Sequence, residues 1–206
     1  MEIDYKGANC VVIKDKEVTL VVDPTSQVTV SKDMVVLATQ PAYAGANIKD
    51  SLVIDMPGEY EHCDISLRGI AVPAHLAADE KALDATLYYL KMNNLGIAII
   101  GNTTAPLSDT AIEEMGEVDI VIIPIGGGGT LDAVDAATIV RQLSPSVVIP
   151  THYNDGHTKY EVPQADTTAF EKEMGSDNIE HQSVFKLKQG GALPATTTTY
   201  ILSRTK

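Results

Sequence analysis

Met34-Val35-Val36-Leu37-Ala38-Thr39-Gln40-Pro41-Ala42-Tyr43-Ala44-Gly45 passes from an unbroken apolar run into a loop punctuated by proline and glycine. Met34 to Ala38 is short and rich in β-branched residues, so it reads as a buried strand that stops at Thr39-Gln40-Pro41. Upstream, Asn9 to Ile13 and Val18 to Val22 flank the polar turn Lys14-Asp15-Lys16-Glu17 and end at Asp23-Pro24, the pattern of a β-hairpin. Downstream, Ser51 to Asp55 and Ile65 to Val72 read as further strands, with Pro57-Gly58 between them. Ala85 to Met92 and Leu95 to Ile100 flank Asn93-Asn94, two residues that tolerate positive φ and therefore suit a tight hairpin.

The second half alternates helix with strand. Ser108 or Asp109 is expected to cap a helix ending at Met115, followed by the buried run Asp119 to Ile125. Leu131 to Leu143 carries Ala136, Ile139, Val140 and Leu143 on one stripe. Ser146 to Ile149 reads as a buried strand stopped by Pro150. A third helix is expected from Pro163 to Met174, with Ala165, Ala169, Phe170 and Met174 facing inward, and late strands over Val184 to Leu187 and Thr199 to Leu202. Strands first, then alternation, fits an α/β sandwich of two sheets with helices on its outer faces, as one domain over residues 1–206.

With 206 residues, 44% of them hydrophobic and 21% charged, the chain can bury a core of its own. Fifteen Lys and Arg against 28 Asp and Glu give a net charge of −13, which argues against nucleic acid and anionic membrane surfaces as partners. Two cysteines, Cys10 and Cys63, form no Cys-x-x-Cys pair, so a disulfide scaffold, zinc ribbon or dithiol redox centre is not expected. Both are read as free and buried. No apolar run has membrane-spanning length and the N-terminus lacks a secretory pattern, so a cytoplasmic protein is expected.

Several separated motifs resemble the metallo-β-lactamase superfamily, in the branch similar to ascorbate-6-phosphate lactonase. They are the strand end at Thr39, Asp23-Pro24, Pro57-Gly58-Glu59-Tyr60-Glu61, Ala71-Val72-Pro73-Ala74-His75, Gly101-Asn102-Thr103, Pro124-Ile125-Gly126-Gly127 and Ile149-Pro150-Thr151-His152-Tyr153, in the family's order. The resemblance implies a four-layer αββα sandwich and a cleft in which Gln40, Tyr43, His75, Asn102 and His152 share one mouth. It also implies a zinc site at the loop after Ala38. Where the family carries Thr-His-x-His-x-Asp-His, this chain has Thr39-Gln40-Pro41-Ala42-Tyr43-Ala44-Gly45. Zinc takes imidazole, thiolate or carboxylate donors, and Ala42, Ala44 and Gly45 offer none. Asn102 stands where the family has a ligating carboxylate. His75 and His152 remain, one from each half of the family's dinuclear site.

The expectation is therefore a degenerate metallo-β-lactamase-fold protein that acts as a binding or assembly module, with no cofactor. The alternative is a divergent metal-dependent hydrolase of phosphoesters or lactones that uses His75 and His152 with zinc. A small polar molecule or a protein is the expected partner, and by analogy with the fold a homo-oligomer is compatible.

Other clusters have blander readings. Glu59-Tyr60-Glu61-His62-Cys63-Asp64 sends its donors to both faces of a strand, which makes it a solvated edge rather than a metal site. His152 and His157 bracket a polar loop. Gly127, Gly128, Gly129 and Thr130 precede a helix, where backbone N–H groups could hold an anion, although the Lys-Ser/Thr ending of a phosphate loop is missing.

Overall fold

The computed structural model describes the chain except residues 17, 46, 47, 49, 64, 76–83 and 206. Asp64 of the donor-rich strand lies outside the described residues.

Fourteen strands form two sheets among the described residues. The first sheet holds β1 (Glu2–Gly7), β2 (Cys10–Asp15), β3 (Val18–Val22), β4 (Met34–Leu37) and β5 (Leu52–Ile54), in that spatial order, with β13 (Phe185–Lys186) outside β1. The second holds β6 (Gly58–His62), β7 (Ile65–Val72), β8 (Ala85–Met92), β9 (Leu95–Ile99), β10 (Ile120–Pro124), β11 (Val147–Thr151), β12 (Ile179–Gln182) and β14 (Thr198–Leu202). Its order runs β6-β7-β8-β9-β10-β11-β14-β12. β6 to β9 form an antiparallel meander, whereas β9, β10, β11, β14 and β12 run parallel. That division follows from the sequence. Asn93 and Asn94, both at positive φ, close the β8–β9 hairpin in two residues. Parallel partners need a crossover, which α1 (Asp109–Met115) and α2 (Ala133–Leu143) supply.

The two sheets enclose one apolar core, with Tyr5, Ile13, Leu37, Leu87, Ile97 and Ile120 buried together. A smaller apolar cluster of Cys10, Val12 and Val21 lies apart from that core, packed against Val28 and Val30 of the loop between β3 and β4 and against Met34 at the start of β4. The helices of the described residues sit on the second sheet: α1 meets β7, α2 meets β10, and α3 (Thr168–Met174) packs on α2. The architecture is the expected α/β sandwich of two sheets with helices outside.

Several local expectations are corrected. β1 and β12 are strands that the apolar patterning missed, because each carries polar residues on a solvated face or edge, whereas β6 is the strand edge expected over Glu59 to His62. Pro150 does not stop β11 but lies inside it, opposite Ile123. The ladder to β14 reaches only Val147 and Val148, so the missing N–H falls beyond that pairing. The third helix starts at Thr168, not Pro163. Ala165 instead donates its N–H to Gly126 and accepts that of Asn154, tying the segment to neighbouring loops. Phe170 is buried as expected, whereas Ala165 and Ala169 are exposed. Cys10 is buried, and burial pushes its thiol up to about 12, but Cys63 is exposed at positive φ in the β6–β7 turn.

Candidate active site

In open parallel sheets, ligands bind beyond the carboxyl ends of the strands. Here Asp23 follows β3, Thr39 and Gln40 follow β4, His75 follows β7, Asn102 follows β9, Gly126 follows β10 and His152 follows β11. Six strand ends from both sheets therefore deliver polar groups to one edge of the sandwich.

Asp23 anchors this edge. Its backbone turns through φ +40, a conformation Asp tolerates, and its N–H donates to Leu37 O at 3.0 Å. Its carboxyl accepts the Thr39 N–H at 2.7 Å on Oδ1 and the Thr39 hydroxyl at 2.7 Å on Oδ2. The ends of β3 and β4 are thereby clamped. Burial raises the Asp23 carboxyl from an ordinary 3.8 to about 7, partly offset by the hydrogen bonds from Thr39 and Asn9. The clamp extends across the sandwich, since Thr86 donates its N–H to Thr39 O at 2.8 Å and Tyr88 donates its hydroxyl to Ala38 O at 2.8 Å. Gly101 completes the joint: a Cβ there would overlap the Thr39 side chain.

The loop after Thr39 forms a single 3₁₀ turn over Pro41–Tyr43. Tyr43 is raised by burial and then by the charge of Asp23, while a hydrogen bond with the Asn102 side chain pulls the other way. Asn102 Nδ2 lies 3.5 Å from Gln40 Oε1, and the His75 N–H donates to Asn102 O at 3.4 Å. Gln40, Tyr43, His75 and Asn102 are thus brought together. His152 closes the far side at positive φ, its N–H donating to Ala8 O at 2.7 Å and its ring lying 5.0 Å from that of Tyr160. Burial lowers its imidazole to about 4, so it is neutral at physiological pH.

Between Asp23, Tyr43 and His152 lies a cavity of about 210 Å³, lined also by Asn9, Thr25 and Gly45 among others; no Lys or Arg lines it, and neither do Gln40, His75 or Asn102. Three buried polar atoms around this edge, His75 Nδ1, Asn102 Oδ1 and His152 Nδ1, have no hydrogen-bond partner. Burying such atoms unpaired is costly, so their concentration here points to a ligand or ordered water. Asp23, Asn9 and Thr25 were not singled out from sequence as site residues. Asp23-Pro24 directly after an apolar strand was the only signal for the first of them.

The donor set does not fit the dinuclear metal centre implied by the fold. Among the described residues no three His, Cys, Asp or Glu side chains converge as a metal site. Gln40, Ala42, Ala44 and Gly45 in the loop after Thr39 offer no imidazole, thiolate or carboxylate, and Asn102 is a neutral amide. His157 sits on the exposed part of its loop rather than beside His152.

The glycine loop before α2 is used internally. Gly127 donates to Leu131 O at 3.0 Å, and the Asp132 carboxylate caps α2 by accepting the N–H groups of Val134 and Asp135, each at 2.9 Å. An acid therefore already holds the helix donors beside Gly127, Gly128, Gly129 and Thr130. Thr130 Oγ1 is buried without a partner. Glu59, Glu61 and His62 are exposed on edge strand β6, in keeping with a solvated edge.

Comparison with known proteins agrees with this architecture. Residues 2–152 match the family model described as the beta-lactamase superfamily domain. A UPF0173 protein of Pyrococcus furiosus is 24% identical over 210 residues, covering 87% of this chain and 93% of the relative. A UPF0173 metal-dependent hydrolase of the same organism is 33% identical over 128 residues, 60% of this chain and 53% of the relative. A solved structure from Thermotoga maritima, assigned to the metallo-beta-lactamase superfamily, superposes with a TM-score of 0.77 at 20% identity, covering 98% of this chain and 97% of that one. Igni18, a metallo hydrolase from Ignicoccus hospitalis, gives 0.64 at 18% identity, covering 85% and 90%. No helix among the described residues is long and apolar enough to cross a membrane.

Proposed function

Because the chain belongs to the beta-lactamase superfamily domain family, we propose that it is a divergent hydrolase of neutral carbonyl esters or lactones, working in the cleft between Asp23, Tyr43 and His152. The observation that carries this reading is a buried carboxyl, raised to about 7, lining a cavity that also holds a neutral imidazole and a phenol. A general base works best with a pKa near the operating pH. The names of relatives such as the Pyrococcus furiosus metal-dependent hydrolase support the hydrolase class. Support for the metal half of that name is missing from this chain's own donors, so the step is assigned to its side chains.

In that step the Asp23 carboxylate takes a proton from water while the water oxygen bonds to the carbonyl carbon. Negative charge develops on the carbonyl oxygen, where the Tyr43 hydroxyl is the donor at hand. Collapse breaks the bond to the leaving alkoxide, which recovers the proton from Asp23. A neutral carbonyl is favoured over a phosphoester because the cavity contains a carboxyl and no Lys or Arg to offset phosphate charge.

The experiment is a hydrolase screen of neutral lactones, carboxyl esters and phosphomonoesters, with and without EDTA. Turnover of a lactone or ester that survives EDTA and falls by about 10²-fold or more in Asp23→Asn is the expected result. Activity on phosphomonoesters abolished by EDTA would overturn it in favour of a metal centre at His75 and His152. A second reading, the binding or assembly module, draws on the replaced donors at Gln40, Ala42, Ala44 and Gly45 but has no support among the relatives. It predicts no turnover of any ester class, together with a ligand that raises the melting temperature.

A further inference from the structure

A second cavity, of about 430 Å³, is lined by Lys6, Gln27, Val28, His157, Arg204 and Thr205. These residues come from the end of β1, the loop after β3, the loop after β11 and the C-terminal tail, so they lie up to 199 positions apart and only the fold assembles them. On a chain with a net charge of −13, two of the fifteen Lys and Arg residues and one of the five histidines meet in this one depression.

The groups are held in place. Arg204 donates Nε–H to Lys6 O at 3.2 Å and one terminal nitrogen to Gln27 Oε1. Lys6 Nζ is fixed by Asp4 at 2.7 Å and Thr205 Oγ1 at 2.9 Å. Asp155 accepts the N–H groups of His157 and Thr158 at 2.8 and 2.6 Å, which sets the His157 loop; against burial, the hydrogen bonds from Thr158 and His157, and after them the Arg204 charge, hold the Asp155 carboxyl below its ordinary range. Neither of the two carboxylates, Asp4 and Asp155, is among the residues that line the cavity. A guanidinium fixed along one edge still presents the rest of its planar N–H fork, the geometry that suits carboxylate and phosphate oxygens.

We propose that this cavity is an oxyanion site for a small carboxylate or phosphate ligand, with Arg204 as the main anchor and His157 and Lys6 as flanking donors. The site is separate from the hydrolytic cleft, and no step of that chemistry enters the argument for it. The Asp4 and Asp155 carboxylates that interact with Lys6 and Arg204 temper the affinity, so binding is weak and sensitive to salt.

The test is calorimetric titration of the full chain at low ionic strength with inorganic phosphate and, separately, with citrate. Expected is saturable binding of at least one of them, weakened at least about tenfold by Arg204→Gln and less by His157→Ala, and unchanged by Tyr43→Phe in the cleft. Binding of phosphate alone or of citrate alone identifies which oxyanion the fork fits. His157 is exposed, so His157→Ala keeps the proposal testable if Arg204→Gln fails to fold. Absence of heat with both anions, binding indifferent to Arg204 and His157, or binding lost in Tyr43→Phe would each overturn the site.

Discussion

Asp23 combines a structural and a chemical demand in one side chain. Its carboxyl clamps Thr39 through two hydrogen bonds of 2.7 Å, yet burial raises it from 3.8 to about 7. The neutral form is therefore favoured in the folded chain. This contribution to stability is fully present below pH 4 and is lost as pH rises through 7, a change on the order of 4 kcal/mol at most. Asn fills the same space and still offers its amide oxygen to the Thr39 N–H. The difference in unfolding free energy between the protein and Asp23→Asn should shift against the protein between pH 4 and pH 8, measured by urea unfolding at each pH. A flat difference would show that Asp23 ionises freely in the fold. His152 works in the opposite sense: lowered from 6.5 to about 4 by burial, it contributes stability above pH 6.5 that is lost as pH falls through 4. The comparison with Asp23→Asn cancels that term. At this scale the sequence showed Asp23 as a strand end and His75 and His152 as surviving imidazoles. Nothing in residue order tied Asp23 to Thr39, sixteen positions away, because that bond exists only once β3 and β4 lie in register.

Elements were most legible where periodicity and caps agree. The Ser108 hydroxyl accepts the Ala111 N–H at 3.2 Å and starts α1 where the capping rule put it, so Ser108→Ala should cost about 1 kcal/mol in denaturant unfolding. Gly101 is a test of the joint between sheets. Its flanking residues suggest only a strand end, but Thr39 from the other sheet occupies the space of a Cβ. Gly101→Ala should destabilise by about 1–3 kcal/mol and loosen the Asp23 clamp with it, seen as a lower urea midpoint and a cleft more open to hydrogen exchange. An unchanged midpoint would mean that Thr39 yields without cost. Errors at this scale share one cause. Pro150 and the segment from Pro163 were read by their local preferences, whereas their outcomes depend on which neighbour needs an N–H.

For the molecule as a whole, a core that spans both sheets predicts one cooperative unit over residues 1–206. Urea unfolding followed by far-ultraviolet circular dichroism and by tyrosine fluorescence should give coincident transitions, and separated midpoints would divide the chain. The same scale carries the prediction on metal. Protein prepared with added zinc and dialysed free of loose ions should retain well below one ion per chain by plasma mass spectrometry, since no three strong donors converge among the described residues. Near one ion per chain, removed by His75→Ala or His152→Ala, would restore the metal-dependent reading of the cleft.

Residue order alone determined the layered α/β class, most of the strands, the cap of α1 and the absence of a run of zinc donors after Ala38. These depend on apolar periodicity, cap chemistry and donor type, which act over a few residues. Only the tertiary structure decided that a carboxyl at Asp23 would be buried and raised, that Gly101 must stay bare, and that Lys6, His157 and Arg204 would face one cavity. Each of those outcomes depends on desolvation or close approach between segments far apart in sequence, and neither quantity exists until the two sheets close on each other.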